Sequence, residues 1–344
     1  MKNWLHQKTL GLFVKTKGIL SKRLLGGKAH VFMLHRVLPE NLRSNYNYNR
    51  DLAITPEALE TFIQLFQKKG FQFISLDELF EKLESRKWGK DKFVCFTLDD
   101  GYRDNITYGL PIFEKYQVPF AIYITNCFPN KTAHLWWYWL EEKINNEQEI
   151  TFRGNTYSSK SEEEKLNTYN IIREQIKNCS PTEREELTTA FFNKTTSSIE
   201  KECEELALNW EELITISTHP LITLGFHTSN HYSLAHLSDV EMQKEIEDGN
   251  IELEKQVGKK IEHFAYPYGS LDDANEREFN LIKQLGFKTA TLNHPGNVFS
   301  SSLSNRFFLP RYPLGNNTPL EKLEHYFNGI YHFGKNGWSK KPIQ

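Results

Sequence analysis

Phe93-Val94-Cys95-Phe96-Thr97-Leu98 runs directly into Asp99-Asp100-Gly101-Tyr102. A short uncharged run of this kind, rich in β-branched and aromatic residues, reads as a strand buried on both faces, as in parallel sheets. Its end carries two carboxylates and a turn glycine, at the position where parallel α/β folds assemble their chemistry. The carboxylates are neighbours, so their side chains leave the backbone in different directions. That is wrong for a glycosidase, whose two carboxyl groups stand about 5–9.5 Å apart on separate segments. It suits one metal ligand beside one base, and it equally suits an Asp-Asp-Gly turn with no chemical role.

Outward from this stretch, short apolar runs alternate with helical periodicity. Residues 31–34, 71–74, 120–125, 221–226, 261–266 and 287–292 read as further strands. Thr55-Pro56 is a helix N-cap followed by proline at the first helical position; Leu59, Phe62, Ile63 and Phe66 share one face, and Gly70 closes the helix. Ser75 with Glu78, and Ser238 with Glu241, have capping-box spacing. Residues 128–215 break the rhythm with the cluster Trp136-Trp137-Tyr138-Trp139 and a long polar helical stretch interrupted at Cys179-Ser180-Pro181. They read as a helical insertion lying over the domain. About seven or eight strands alternating with helices imply a parallel barrel or a doubly wound sheet. His35, Asp99, Asp100, His227 and Tyr266-Pro267 all fall where a strand ends, so distant segments converge on one rim.

The composition of the 344 residues, 39% hydrophobic and 25% charged, belongs to ordinary soluble globular chains and excludes disorder. The longest apolar runs, such as 135–140, fall far short of the roughly 18–20 residues of a membrane span. Cys95, Cys127, Cys179 and Cys203 form no CxxC pair, which fits a reducing compartment. The first 39 residues carry eight of the 42 basic residues and none of the 44 acidic ones. Residues 1–29 therefore read as a basic amphipathic segment, suited to lying on anionic lipid or to packing as a solvated helix. Lysines interrupt its apolar residues, so no secretory h-region exists. The expectation is a cytoplasmic protein, peripheral at the inner face of the membrane if that segment docks. Nucleic acid is disfavoured as a partner because the main body is acidic. GxxxxGK[ST], GxGxxG and GxSxG are all absent, which leaves nucleotide and serine-hydrolase readings without support.

His227-Thr228-Ser229-Asn230-His231 places two histidines at i and i+4 beyond an apolar strand. Both imidazoles can meet one ion, and a carboxylate would complete a two-histidine, one-carboxylate set with positions left open for water. Among 12 histidines, such a spacing also arises by chance. His219, His236 and His263 read as structural.

Three stretches occur in order: Phe96-Thr97-Leu98-Asp99-Asp100-Gly101-Tyr102, Gly225-Phe226-His227-Thr228-Ser229-Asn230-His231-Tyr232-Ser233-Leu234, and Phe264-Ala265-Tyr266-Pro267-Tyr268-Gly269. Together they resemble the motifs of the polysaccharide deacetylases, carbohydrate esterase family 4 of the NodB type. Met33-Leu34-His35-Arg36-Val37, Ile54-Thr55-Pro56-Glu57 and Gly70-Phe71-Gln72-Phe73-Ile74-Ser75-Leu76 are similar to the front of the branch with an N-terminal histidine strand motif. The similarity spans roughly 30–314. It implies a distorted parallel (β/α) barrel of about seven strands over residues 30–330, with the helical insertion 128–215 and a C-terminal tail 331–344. It also implies a metal-dependent hydrolase that removes acetyl groups from the amino sugars of a polysaccharide or a lipid-linked glycan precursor. Asp100, His227 and His231 become the ligands of a divalent metal ion, zinc first and cobalt, nickel or manganese as alternatives. Asp99 becomes the general base, and the segment holding Tyr266, Pro267 and Tyr268 lines the groove and offers a backbone N–H to the oxyanion.

Two departures from the family pattern stand out. Many relatives carry the acid histidine in a late motif, where this chain has only Asn293-His294-Pro295-Gly296; the resemblance favours His35, at the end of the first strand, over His294. Ala265 stands about where many relatives have an arginine that orients the base, so Arg311 is the expected substitute, with a surface ion pair as the alternative. Trp137 is a candidate sugar-stacking residue, against the reading of the whole tryptophan cluster as insertion core. The rival functions are a non-catalytic carbohydrate-binding or assembly protein on the same barrel, an O-acetyl esterase, and a cyclic-amide hydrolase.

Overall fold

A computed structural model describes residues 24–44 and 46–342. Among them, eight parallel strands form one sheet: β1 (Ala29–Leu34), β2 (Gln72–Phe73), β3 (Phe93–Leu98), β4 (Phe120–Ile124), β5 (Ile222–Phe226), β6 (His263–Ala265), β7 (Thr289–Thr291) and β8 (Tyr312–Pro313). The order is β7-β6-β5-β4-β3-β1-β8, and β2 pairs with the start of β3, ahead of the stretch that pairs with β4. The row curls until its ends almost meet. Leu309 bridges to Thr291 of β7, and Tyr312 of β8 pairs with Phe32 of β1, so the segment 309–313 closes the ring. The distorted parallel (β/α) barrel is therefore present. Its closing strand has no periodic pattern in the sequence, being two residues long and set among Pro310 and Pro313.

Strand alternation sorts the side chains into two layers. Phe32, Leu34, Val94, Phe96, Leu98, Phe120 and Ile122 pack outward with Leu59, Phe62, Ile63 and Phe66 of helix α1 (Pro56–Lys68). Thr55 caps α1, accepting from the Ala58 N–H at 3.2 Å. Val31, Cys95, Ala121, Tyr123, Ala265 and Leu309 form the separate inner cluster. The same parity sends Thr97 and Asp99 inward, to the barrel mouth.

The insertion is more than helices. After α2 (Trp136–Asn146) comes a hairpin, Glu149–Phe152 with Asn155–Ser158, which turns on Arg153 and Gly154, both at positive φ. Helices α3 (Glu162–Lys177), α4 (Pro181–Ala190), α5 (Thr196–Leu206) and α6 (Trp210–Ile216) follow, each with a capping box. Trp136, Trp139, Leu140, Ile150, Tyr169 and Ile172 build the insertion's own core, whereas Leu213 and Ile216 of α6 join the outer layer of the barrel.

Of the N-terminal segment 1–29, residues 1–23 lie outside the described residues. The stretch read as a tail, 331–344, starts within α7 (Ile330–Asn336), whose His332 and Asn336 are fully buried. All four cysteines are buried free thiols. No helix among the described residues is long and apolar enough to cross a membrane.

Candidate active site

The C-terminal ends of β1, β3, β5 and β6 and the closing strand meet around a cavity of about 330 Å³ lined by His35, Asp99, Asp100, His227, His231, Tyr266, Tyr268 and Arg311. The backbone turns sharply here. Asp100, Thr228, His231 and Tyr268 all hold positive φ, at 78°, 68°, 54° and 60°. Such conformations cost about 1–3 kcal/mol each and gather where a structure fixes functional side chains. Thr228 supports the turn by accepting the His231 backbone N–H on Oγ1 at 3.0 Å.

Asp100, His227 and His231 each offer a donor atom within 4.8 Å of the others. Nε2 of His231 and of His227 lie 3.3 and 3.6 Å from Asp100 Oδ1. His227 Nδ1–H donates to the Ala265 carbonyl at 2.7 Å, which fixes the tautomer and leaves the Nε2 lone pair facing Asp100. Asp100 Oδ1 is buried with no hydrogen-bond donor. A buried carboxylate oxygen without a donor, facing imidazole nitrogens, is costly unless a cation joins them, so these residues fit a divalent metal ion. Burial pushes His227 down to about 4, against the pull of Asp99, so its ring is neutral and ready to coordinate near neutral pH. Burial pushes Asp100 up, but the neighbouring His231, His35 and His227 outweigh it and hold the carboxyl well below its usual range.

Asp99 faces a different partner. Arg311 Nη1 and Nη2 donate to its two oxygens at 2.6 and 2.8 Å, and both side chains are buried. The guanidinium is itself fixed, with Nε donating to the Leu292 carbonyl at 3.1 Å and Nη1 also to Thr97 Oγ1 at 3.2 Å. Burial raises the Asp99 carboxyl, yet Arg311 above all, with His227, holds it below the ordinary value. The surface alternative for Arg311 is thus corrected: it comes from the closing segment 309–313 into the interior, where it clamps Asp99.

His35 stands at the end of β1, lining the cavity, and its charge acts on both Asp99 and Asp100. His294 does not line it. Its Nε2 pairs with Asn336 Oδ1 at 2.8 Å, turned onto α7 by the packing of the C-terminal helix, and the structure thereby separates it from the other site candidates. Tyr266 lines the cavity, with its hydroxyl donating to the Phe307 carbonyl at 2.8 Å. Pro267 is not a lining residue; its carbonyl accepts the Gly269 N–H at 2.6 Å and shapes the turn that presents Tyr268. The tryptophan cluster divides: Trp139 is insertion core, Trp136 belongs to that core and also lines the cavity, and half-buried Trp137 lines it with its ring centroid 5.7 Å from that of His231.

Several site residues went unread in the sequence. Asp104 binds Arg36 Nε at 2.8 Å and accepts the Val37 N–H at 2.7 Å, tying the end of β1 to the turn after β3. Its place five residues after Asp99 was the available signal. Arg184 of α4, almost fully buried, donates to the His231 carbonyl at 3.2 Å and lies 4.2 Å from the Tyr232 ring centroid. Tyr48, Asn49 and Tyr169 also line the cavity. No local pattern marks them.

With this geometry in hand, comparison with known proteins is informative. The family model described as polysaccharide deacetylase matches residues 86–290. The chain belongs to the polysaccharide deacetylase family. It is a carbohydrate deacetylase, and the matched stretch carries all three motifs around Asp99, His227 and Tyr266. Comparison with curated proteins gives no match. Among solved structures, this deacetylase is similar to the deacetylase PplD of Streptococcus pyogenes, in complex with acetate, at 15% identity and a TM-score of 0.57, covering 87% of this chain and 98% of that one. IcaB from Ammonifex degensii gives 15% identity, a TM-score of 0.54 and coverage of 88% and 98%. A de-N-acetylase from Aggregatibacter actinomycetemcomitans gives 14%, 0.53, and 87% and 99%. At these identities the likeness speaks for the barrel that the deacetylase shares with them.

Proposed function

We propose that this deacetylase hydrolyses the N-acetyl group of an amino sugar, with a divalent cation held by Asp100, His227 and His231. The observation that carries the reading is the Arg311-clamped Asp99 in the same cavity as that unsatisfied donor set. Imidazole and carboxylate donors favour zinc, with cobalt, nickel or manganese as alternatives. A divalent ion bound there would polarise the acetyl carbonyl and acidify a neighbouring water. Asp99 takes the proton of the attacking water. Its depressed pKa keeps it ionised but makes it a weak base, so the reaction depends on that water being acidified. Tyr266 N–H donates to Thr291 and Gly269 N–H to Pro267, and proline has none, which leaves the Tyr268 N–H as the oxyanion donor of this segment. His35 gives a proton to the amine nitrogen as the C–N bond breaks and acetate departs.

Purified protein loaded with zinc should release acetate from N-acetylhexosamine oligomers. Asp100→Ala should lose both the bound metal, measured by elemental analysis, and the activity; retention of metal by that variant would refute the ligand set. The basic residues of the first 36 positions support a second, separate proposal, that the deacetylase works at the cytoplasmic face of a membrane. Failure to co-sediment with anionic liposomes at low salt would count against it.

A further inference from the structure

The cavity is bounded on one side by a wall that the barrel strands do not supply. Tyr48 and Asn49 lie between the short paired strands Arg36–Val37 and Ala53–Ile54 and meet Tyr169 of the insertion helix α3. The rings of Tyr48 and Tyr169 stack with centroids 4.6 Å apart and planes 10° from parallel. The Tyr169 hydroxyl donates to Asn49 Oδ1 at 3.3 Å. Asn49 is fastened to α2 as well: its backbone N–H donates to Glu141 Oε1 at 3.1 Å and its Nδ2 to the Trp137 carbonyl at 3.0 Å. Asn49, Glu141 and Tyr169 are all buried. Three segments far apart in the chain are thus locked by stacking and by satisfied buried polar groups, which makes the wall a fixed part of the fold.

Tyr48, Asn49, Tyr169 and Trp137 line the same cavity as Asp100 and His231. At about 330 Å³ the cavity is at the small end of the ligand-site range of about 300–1,000 Å³. An internal sugar of a polymer, with its acetyl group at Asp100, needs the chain to leave the site in two directions. A wall across one of these directions would leave room for one. The Tyr48 hydroxyl and Trp137 Nε1 are buried without hydrogen-bond partners, a state that costs free energy until a bound polar group satisfies them. A sugar ending against the wall brings hydroxyl groups to both.

From the wall and the cavity size we infer that the site takes the terminal N-acetylated sugar of a chain, or a short oligosaccharide, and does not act on internal sugars. The inference rests on the N-deacetylase reading above. Zinc-loaded full-length protein is given N-acetylglucosamine oligomers of increasing length and a long N-acetylglucosamine polymer; acetate is quantified and the deacetylated position is read by fragment mass spectrometry. The expected result is loss of the acetyl group at one chain end only, with kcat/KM changing by less than about twofold beyond the disaccharide. A double variant, Tyr48→Ala with Tyr169→Ala, is expected to admit internal sugars. Internal deacetylation by the unaltered protein, or kcat/KM that climbs with every added sugar, overturns the inference and leaves N-deacetylation standing. Absence of acetate from every substrate, with metal bound, overturns the N-deacetylase reading and the inference with it.

Discussion

Replacing Arg311 with methionine tests the electrostatic centre of the site. The guanidinium makes two charge-assisted hydrogen bonds to Asp99, at 2.6 and 2.8 Å, between side chains that are 1% and 4% exposed. Removing one partner of a buried pair leaves an uncompensated charge, a loss of about 3–5 kcal/mol. The Leu292 carbonyl and Thr97 Oγ1 lose their donor too, so the upper part of that range is expected. The second effect falls on titration. An adjacent arginine lowers a carboxylate pKa by about 1–3 units, so without it burial prevails and the acid limb of the kcat/KM profile should move up by about that much. The sign for stability follows from the same shift. A depressed Asp99 contributes stability that is present above its unfolded pKa of about 3.9 and is lost as pH falls through the folded value. Arg311→Met should therefore be most destabilised relative to the unaltered protein near neutral pH, with the two curves converging below about pH 4. Urea titrations across pH and pH–rate profiles of acetate release measure both effects. Arg311→Lys, which keeps the charge without the planar fork, should fall between the two. An unmoved acid limb in a folded Arg311→Met protein would refute the assignment of Asp99 as the base that Arg311 tunes.

The two histidines in competition for the acid role should separate cleanly in kinetics: His35→Gln is expected to lower kcat by about 10²-fold or more, whereas His294→Gln should stay within a few-fold. His30 is fully buried, with its pKa pushed down to about 3 by burial and by Lys92. Between that value and 6.5 the unfolded chain binds a proton that the folded chain refuses, so stability should fall by about 1.4 kcal/mol per unit as pH drops through that window. Denaturant titrations between pH 6 and 5 should show at least this slope, with His227 adding to it, and His30→Phe should make it shallower by His30's share. Gly225 has no space for a side chain: a Cβ there would stand 2.4 Å from Tyr123 Cδ1 and 3.0 Å from the His263 carbonyl oxygen. Gly225→Ala should cost about 1–3 kcal/mol through overpacking, read as a lowered Tm.

Much of this molecule is written in short-range pattern. The runs at 93–98 and 120–125 and the caps at Thr55, Ser75 and Ser238 specify strands and helices because backbone preference and burial alternate over a few residues. Asp99 beside Asp100, and His227 four residues from His231, are local as well, so the turn at the end of a single strand presents each pair. What tertiary structure alone decided lies across long separations. Arg311 reaches Asp99 from 212 residues away, just ahead of a strand too short and too rich in proline to show a period, and only closure of the ring directs it inward. Tyr169 meets Asn49 across 120 residues, and Trp137 differs from Trp136 only in which face of α2 the insertion core covers. His35 and His294 look equivalent as residues following strands, until the C-terminal helix takes up one of them. Sequence determines which groups a strand end can offer. Which of them share one cavity is set by sheet closure and by packing of the insertion, contacts whose specificity comes from the fit of whole surfaces rather than from neighbours in the chain.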